Sequence, residues 1–341
     1  VILIPGFKED KVILEVAKGA LNQDYPRELY EVIVIADSFL SETITQLKRL
    51  SIKVIEVSFD NSTKAKSINA ALAQVEDVFD IALILDADNL MEEGFISKIN
   101  DAFSKGFLCV QGHRLAKNKD TSIAILDAIS EEVNNKLFRK GHRILGLSSA
   151  LIGSGMAFDY HLYKEKMKTI NAIGGFDKEL ELILLKCGNK IEYVEDALVY
   201  DEKVSTAKTL SKQRKRWISA QYIYFKRSIG SSFHELLFSG NIDYFIKSLQ
   251  FALLPRILMV GFLFAILIFS IFLNEPIYTK IWAVLFMMSL LAIIFAIPKK
   301  FYNKSTLKAL LYIPHGFFII LLTLFQLKGA NKKFIHTEHG L

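Results

Sequence analysis

Ile81-Ala82-Leu83-Ile84-Leu85-Asp86-Ala87-Asp88-Asn89 is the stretch that decides the fold. Five apolar residues followed by acids make a short buried strand that delivers hard oxygen ligands at its end. Similar β-rich runs occupy residues 1–5, 30–36 and 53–57, with helical patterns at 12–21 and 67–74 between them. Strands alternating with helices predict an α/β domain whose parallel sheet is covered on both faces. Ligands of such sheets collect beyond the carboxyl ends of the strands, so the loops after Ala36 and Leu85, both carrying aspartates, are the places to search. Taken as extended chain, Asp86 and Asp88 project to one side and would share a Mg2+ or Mn2+ with a diphosphate. The turn Pro5-Gly6-Phe7-Lys8-Glu9-Asp10 has one glycine and two acids, which argues against a dinucleotide-binding turn and against a P-loop.

Hydrophobic residues make up 51% of the 341, at a mean hydropathy of +0.29, which predicts a globular part joined to a membrane part. Residues 257–273, 281–297 and 309–327 run about 17–19 residues each without a charge, close to the ~20 that cross a bilayer. Three membrane helices are expected, in a multi-pass protein of the inner cell membrane. Lys299, Lys300, Lys304 and Lys308 mark their loop as cytoplasmic, on the side of a cytoplasmic catalytic domain. A third crossing would put Lys328, Lys332 and Lys333 outside, against that tendency. Because Pro314-His315-Gly316 interrupts the third run, a broken or re-entrant helix stands as the alternative. The net charge of +6 gathers between Lys203 and Arg227 and beside the apolar runs, which favours lipid or phosphate partners over nucleic acid. Cys109 and Cys187 fall in apolar segments and are expected to be buried thiols of a reducing compartment. His113, His142, His161, His234 and His315 show no paired metal spacing and read as structural. Val1 stands inside a strand pattern without a preceding Met, which suggests that an anchor helix has been cut away.

Three further groups carry chemistry in company and little alone. Asp37 ends a strand, where a carboxylate can accept from the imide of uracil or a ribose hydroxyl, although strand-end acids are commonly turn formers. Lys64 and Asn69 sit in Thr63-Lys64-Ala65-Lys66-Ser67-Ile68-Asn69, which opens a helix at the same edge. Gln213, Arg216 and Trp217 stand at i, i+3 and i+4, so a helix gives them one face. An amide, a fixed cation and a flat ring suit a sugar and a pyrophosphate, or equally a lipid headgroup layer.

Taken in order, Asp37, Lys64 with Asn69, Asp86-Ala87-Asp88, Gly153-Ser154-Gly155, Gly174-Gly175-Phe176 and Gln213-Arg214-Lys215-Arg216-Trp217 resemble membrane-bound family-2 glycosyltransferases. Cellulose, chitin and hyaluronan synthases and ceramide glucosyltransferases share that pattern. The likeness covers nearly the whole chain and extends to the tail His336-Thr337-Glu338-His339. It implies a GT-A domain (1–205), interfacial helices with the Gln-x-x-Arg-Trp element (206–250), a transmembrane region (251–327) and a polar tail (328–341). The implied activity is inverting transfer of a sugar from a nucleotide diphosphate sugar, UDP-linked by family habit, to a polysaccharide. A membrane-lipid acceptor, or a non-catalytic sugar-nucleotide-binding partner of a synthase, stands as the alternative, and a synthase or export subunit would be a partner. By matching position Asp37 would hold the base, Lys64 and Asp86 the nucleotide, and Asp88 with Asp86 the metal. Gln213, Arg216 and Trp217 would take the diphosphate and the acceptor end. The family's Glu-Asp pair after Gly-Gly-Phe is missing. Alignment from Gly188 puts Asp177 at the catalytic base position with Glu179 two residues on, and makes the literal Glu195-Asp196 a decoy.

Overall fold

Valine and isoleucine crowd the first strands because both faces of those strands are covered. The computed structural model describes residues 1–76, 78–274 and 276–327, so the 328–341 tail with His336-Thr337-Glu338-His339 lies outside it. The chain passes through β1 (Ile2–Phe7), α1 (Ile13–Leu21), β2 (Val32–Asp37), α2 (Ser41–Lys48), β3 (Lys53–Val57), α3 (Lys64–Gln74) and β4 (Ile81–Ile84). It continues through β5 (Leu90–Met91), α4 (Phe95–Ser104), β6 (Cys109–Ala116), α5 (Ser122–Asn134), α6 (His142–Ile144), β7 (Met156–Asp159), α7 (Tyr160–Met167), α8 (Phe176–Lys186) and β8 (Ile191–Asp201). A wide π turn, Asn135–Gly141, joins α5 to α6. Leu3, Ile33 and Ile35 face Ile68, Tyr163 and Leu180 on one side of the sheet. Their neighbours Ile2, Ile4, Val32 and Val34 face Ile13 and Phe95 on the other. This alternation is the period of two that a doubly covered strand requires.

The sheet order is β3-β2-β1-β4-β7-β6-β8-β5. Its first four strands are parallel as expected, but β7 runs antiparallel to both β4 and β6, and β5 antiparallel to β8, so the sheet is mixed. The long helical excursion through α5 and α6 stays at the end of the sheet where β6 finishes, and β7 therefore starts there and runs head to tail beside both β6 and β4. Strand β8 is the longest of the sheet, with eleven residues, and it is not regular. Between Gly112 and His113 its register with β6 jumps from Val194 to Leu198, looping out Glu195, Asp196 and Ala197.

After β8 come α9 (Ala207–Ser239), α10 (Ile242–Gln250), α11 (Arg256–Phe272), α12 (Pro276–Ala296), α13 (Lys304–Leu310) and α14 (Ile313–Phe325). Among the described residues one helix, α12, is long and apolar enough to cross a membrane; α11 has 17 residues, and α13 and α14 bend by 47°. The break lies just before the expected Pro314-His315-Gly316, which falls inside α14. Pro314 sits in the first turn of α14, where its missing N–H leaves no helix bond unmade. Phe264, Phe272, Met288, Phe295, Phe318 and Phe325 are exposed along these helices.

Helix α5 ties this region to the sheet. Ile125 and Ile129 pack with Ala296, Phe301 and Ala309. Arg256 donates to the Ser130 carbonyl at 2.8 Å, and Lys300 pairs with Glu132 at 2.6 Å. Cys109 is buried in β6 as expected, whereas Cys187, at the end of α8, is exposed.

Helix α10 is anchored to α8 by Lys247 and Glu181, 2.8 Å apart and almost wholly buried. Lys247→Met should lower stability by about 3–5 kcal/mol, because it strands a buried carboxylate, and adding Glu181→Leu should recover most of the loss. Thermal unfolding of the two variants measures this; equal destabilisation by both would contradict it.

Candidate active site

Strand β4 ends at Ile84, and the acids that follow are not extended. Asp86-Ala87-Asp88-Asn89 folds as a turn closed by the Asn89 N–H on the Asp86 carbonyl, 3.1 Å away. A turn, and not the alternation of a strand, therefore brings the two acids to the sheet's edge, and it makes them unequal. Asp86 keeps 30% of its side chain exposed, whereas Asp88 is buried at 6%. Asp88 Oδ1 accepts from the Asn89 amide at 3.0 Å.

The segment before β7 closes over this turn. Ser154 Oγ accepts the Asp86 N–H at 2.8 Å, and the Gly155 N–H reaches the Ile84 carbonyl at 2.8 Å. Gly155 has φ +59°, and a Cβ there would stand 2.6 Å from Val199 Cγ1, so both conformation and space demand glycine. Gln111 supports the same loop, donating to the Ser154 and Gly155 carbonyls and accepting the Ile152 N–H. From the start of α3, Lys64 Nζ bonds Asp86 and, at 2.7 Å, the Gly153 carbonyl, with the Phe176 ring 5.1 Å away.

Gly175, at φ +71°, turns the chain into α8 and sets Phe176 inward and Asp177 in the first turn. A Cβ on Gly153 would lie 3.8 Å from Asp177 Cβ and Cγ, so Asp177 stands against the loop that Lys64 holds. Glu179 does not stand there. It accepts from the Tyr224 hydroxyl of α9 at 3.1 Å. Burial, and then Glu179 itself, push the Tyr224 hydroxyl well above its ordinary pKa, which keeps it a donor.

One face of α9 completes the arrangement, since Gln213, Arg216, Trp217, Ala220 and Tyr224 recur at helical spacing. Ala220 and Tyr224 pack on Gly175 and fix the rotation of the helix. Burial pulls the Arg216 guanidinium below its usual pKa while Asp86 and Asp177 act in the opposite direction, so this cation lies in the field of both acids. The Gln213 side-chain oxygen is buried with no donor among the described residues. Arg214 lies 4.7 Å from the centre of the Trp217 ring and pairs with Asp127 of α5.

Other expected residues stand apart. Asp37 closes β2 but is fully buried, accepting from the hydroxyls of Ser38, Ser62 and Ser67 at 3.0–3.1 Å. Asn69 donates to the Met167 carbonyl at 2.9 Å and ties α3 to α7, away from the acids. Glu195 and Asp196 lie in the β8 bulge, Glu195 paired with Lys140 at 2.5 Å. Asn89, Asp127, Asp201 and Tyr224 were missed by the sequence reading. Asn89 alone carried a signal, being next to the motif.

Asp86 and Asp88 form a pair with oxygen donors only, and among the described residues no three His, Cys, Asp or Glu side chains gather as a metal cage. Two carboxylates fit a Mg2+ or Mn2+ whose remaining ligands come from phosphates and water.

A family model described as glycosyltransferase like family 2 matches residues 1–220. An N-acetylglucosaminyltransferase of Rhizobium meliloti is 26% identical over 240 residues, 65% of this chain and 55% of that protein. A beta-monoglucosyldiacylglycerol synthase of Nostoc sp. is 25% identical over 235 residues, 65% of this chain and 48% of that protein. The chain thus spans about half the length of these relatives. A mannosyltransferase from Pyrobaculum calidifontis, solved with GDP-Man and Mn2+, superposes with TM-score 0.51 at 16% identity, covering 89% of this chain and 87% of that one. That likeness is one of fold, the α/β arrangement called GT-A.

Gly155→Ala should destabilise the protein by about 1–3 kcal/mol, through left-handed strain and the clash with Val199. Pairing it with Val199→Ala should restore part of the loss. Chemical denaturation measures both, and an unchanged midpoint in Gly155→Ala would disprove the close approach.

Proposed function

The chain belongs to the glycosyltransferase-like family 2, and from that premise we propose that it transfers a sugar, with inversion, from a nucleotide diphosphate sugar to an acceptor held at a membrane surface. What carries the reading is the gathering of Lys64, Asp86 and Asp177 around Gly153, with Arg216 of α9 in the field of both acids. Two cations offset a diphosphate, and a carboxylate stands beside them to take a proton. Asp37, beneath Ser38 and Ser62, forms the floor under the nucleotide base. Asp86 and Asp88 would hold a Mg2+ or Mn2+, which supplies charge neutralisation at the departing diphosphate.

Asp177 accepts the proton of the acceptor hydroxyl as that oxygen attacks the anomeric carbon. The bond from that carbon to the diphosphate breaks, and Lys64 and Arg216 stabilise the charge that appears on the leaving group. Gln213 offers its unpaired oxygen to an acceptor hydroxyl, and Trp217 offers a ring face to the sugar. Glu179 holds Tyr224 and through it the angle of α9.

Exposed phenylalanines along α11, α12 and α14 support placing these helices in a bilayer, since water would penalise so much apolar surface. Of the two acceptors the sequence leaves open, lipid or polysaccharide, we take the lipid, a reading supported by the contact between α9 and the apolar helices. Ser211 of α9 meets Thr323 of α14 at 3.2 Å, so the helix that carries Gln213, Arg216 and Trp217 packs against an apolar helix. Labelled UDP-sugars incubated with membranes, followed by solvent extraction, separate lipid product from polymer.

Asp177→Asn keeps shape but cannot take a proton, so turnover should fall by about 10²–10⁴ with UDP affinity near wild type. Glu179→Gln should cost far less, and the reverse ranking would move the role to Glu179. Because Lys300 pairs with Glu132 of the catalytic domain, a cysteine placed at Lys304 should resist a membrane-impermeant thiol reagent applied to intact cells. Ready labelling from outside would refute this topology.

A further inference from the structure

Asn89 is fully buried, and its side-chain amide has both N–H groups and its oxygen committed. The nitrogen donates to Asp88 Oδ1 at 3.0 Å and to Asp201 Oδ1 at 3.1 Å. The oxygen accepts from Ser154 Oγ at 2.6 Å. Ser154, whose single hydroxyl proton is thereby used, takes the Asp86 N–H on the same oxygen. One amide thus supports both acids from behind, Asp88 directly by its carboxylate and Asp86 by its main-chain N–H through Ser154.

Behind this support is charge that could disturb it. Asp201 is held at 2.6 Å by Lys203, and its Oδ2 is 3.8 Å from Arg114 Nε. Burial raises the Asp201 carboxyl, but Arg114 and Lys203 outweigh it and keep the group below the usual range. Asp88 and Asp201 therefore face each other as acids across a single NH2 group, beside a buried cationic cluster able to draw a loose carboxylate inward. A neutral donor between them satisfies an oxygen of each and adds no charge. An aspartate at 89 would have nearly the same shape but no hydrogen to give, leaving three carboxylates in contact.

We propose that Asn89, Ser154 and Asp201 are positioning residues that lock the Asp86-Asp88 turn in the shape that receives a divalent cation on a nucleoside diphosphate. This rests on the reading of Asp86 and Asp88 given above. Outer partners of metal ligands commonly govern affinity by 10–100-fold.

The test is Mn2+ binding to the full chain in detergent, read from the electron paramagnetic resonance signal of free Mn2+ with UDP present. Metal-free UDP binding is read separately by calorimetry. Asn89→Asp should weaken Mn2+ by about 10–100-fold, and Ser154→Ala should weaken it in the same direction by less. Metal-free UDP binding should not move, and raised Mn2+ should restore turnover in both variants. A purely structural role would lower stability without this selective, Mn2+-rescued loss. Should Asn89→Asp fail to fold, Ser154→Ala decides alone. Mn2+ curves that overlay wild type in the folded variants overturn the positioning role. Wild-type Mn2+ affinity in Asp88→Ala would instead overturn the metal reading, and the proposal with it.

Discussion

Three cations, Arg114, Arg139 and Lys203, are buried together, and one carboxylate, Glu131, lies 2.8, 3.1 and 3.7 Å from them. Stripping water from each costs several kcal/mol, so the helix bearing Glu131 has no freedom to move away. Burial raises the Glu131 carboxyl, yet the three cations drag it well below the ordinary range. With α5 fixed, its other acids are fixed too. Asp127, one turn earlier, meets Arg214, and Glu132 meets His113 and Lys300. Burial acts to raise Glu132 as well, but these two partners hold it at about 2. Sheet, acid turn, the Arg-Trp helix and the apolar region all register on this one helix.

Much of the framework was legible because alternation of strand and helix is written in the hydrophobic pattern. The direction of β7 was not. Four residues, Met156–Asp159, carry no mark of orientation, and the helical detour before them decides it. The two acids were found, but on the wrong local geometry, since nothing short of the Asn89 N–H shows that a turn and not an extended chain joins them. The buried ion cluster was invisible for a different reason. Arg114, Glu131 and Lys203 look like solvated charges until the fold removes their water.

The acids after Gly174-Gly175-Phe176 show how backbone settles what side-chain pattern leaves open. Asp177 and Glu179 are both acidic, both in the first turn of α8 and two residues apart. The left-handed Gly175 sets the phase of that turn, and α9 takes up whichever acid points toward Tyr224. Arg114 shows the same logic deeper in the protein. Its burial opposes the charge, and Asp201 with Glu131 more than compensates, raising its pKa above the ordinary value.

Helix α9 runs 33 residues without a break and leans on Gly175 at Ala220. Measured from that point, one arm reaches about 10 Å to Gln213 and the other about 29 Å to Ser239. The long arm is held by α10, where Ser231 meets the Tyr244 hydroxyl at 2.7 Å, and the short arm by Asp127 on Arg214. The rod is thus clamped on both sides of Gly175, and Gln213 can shift only if one of those clamps opens.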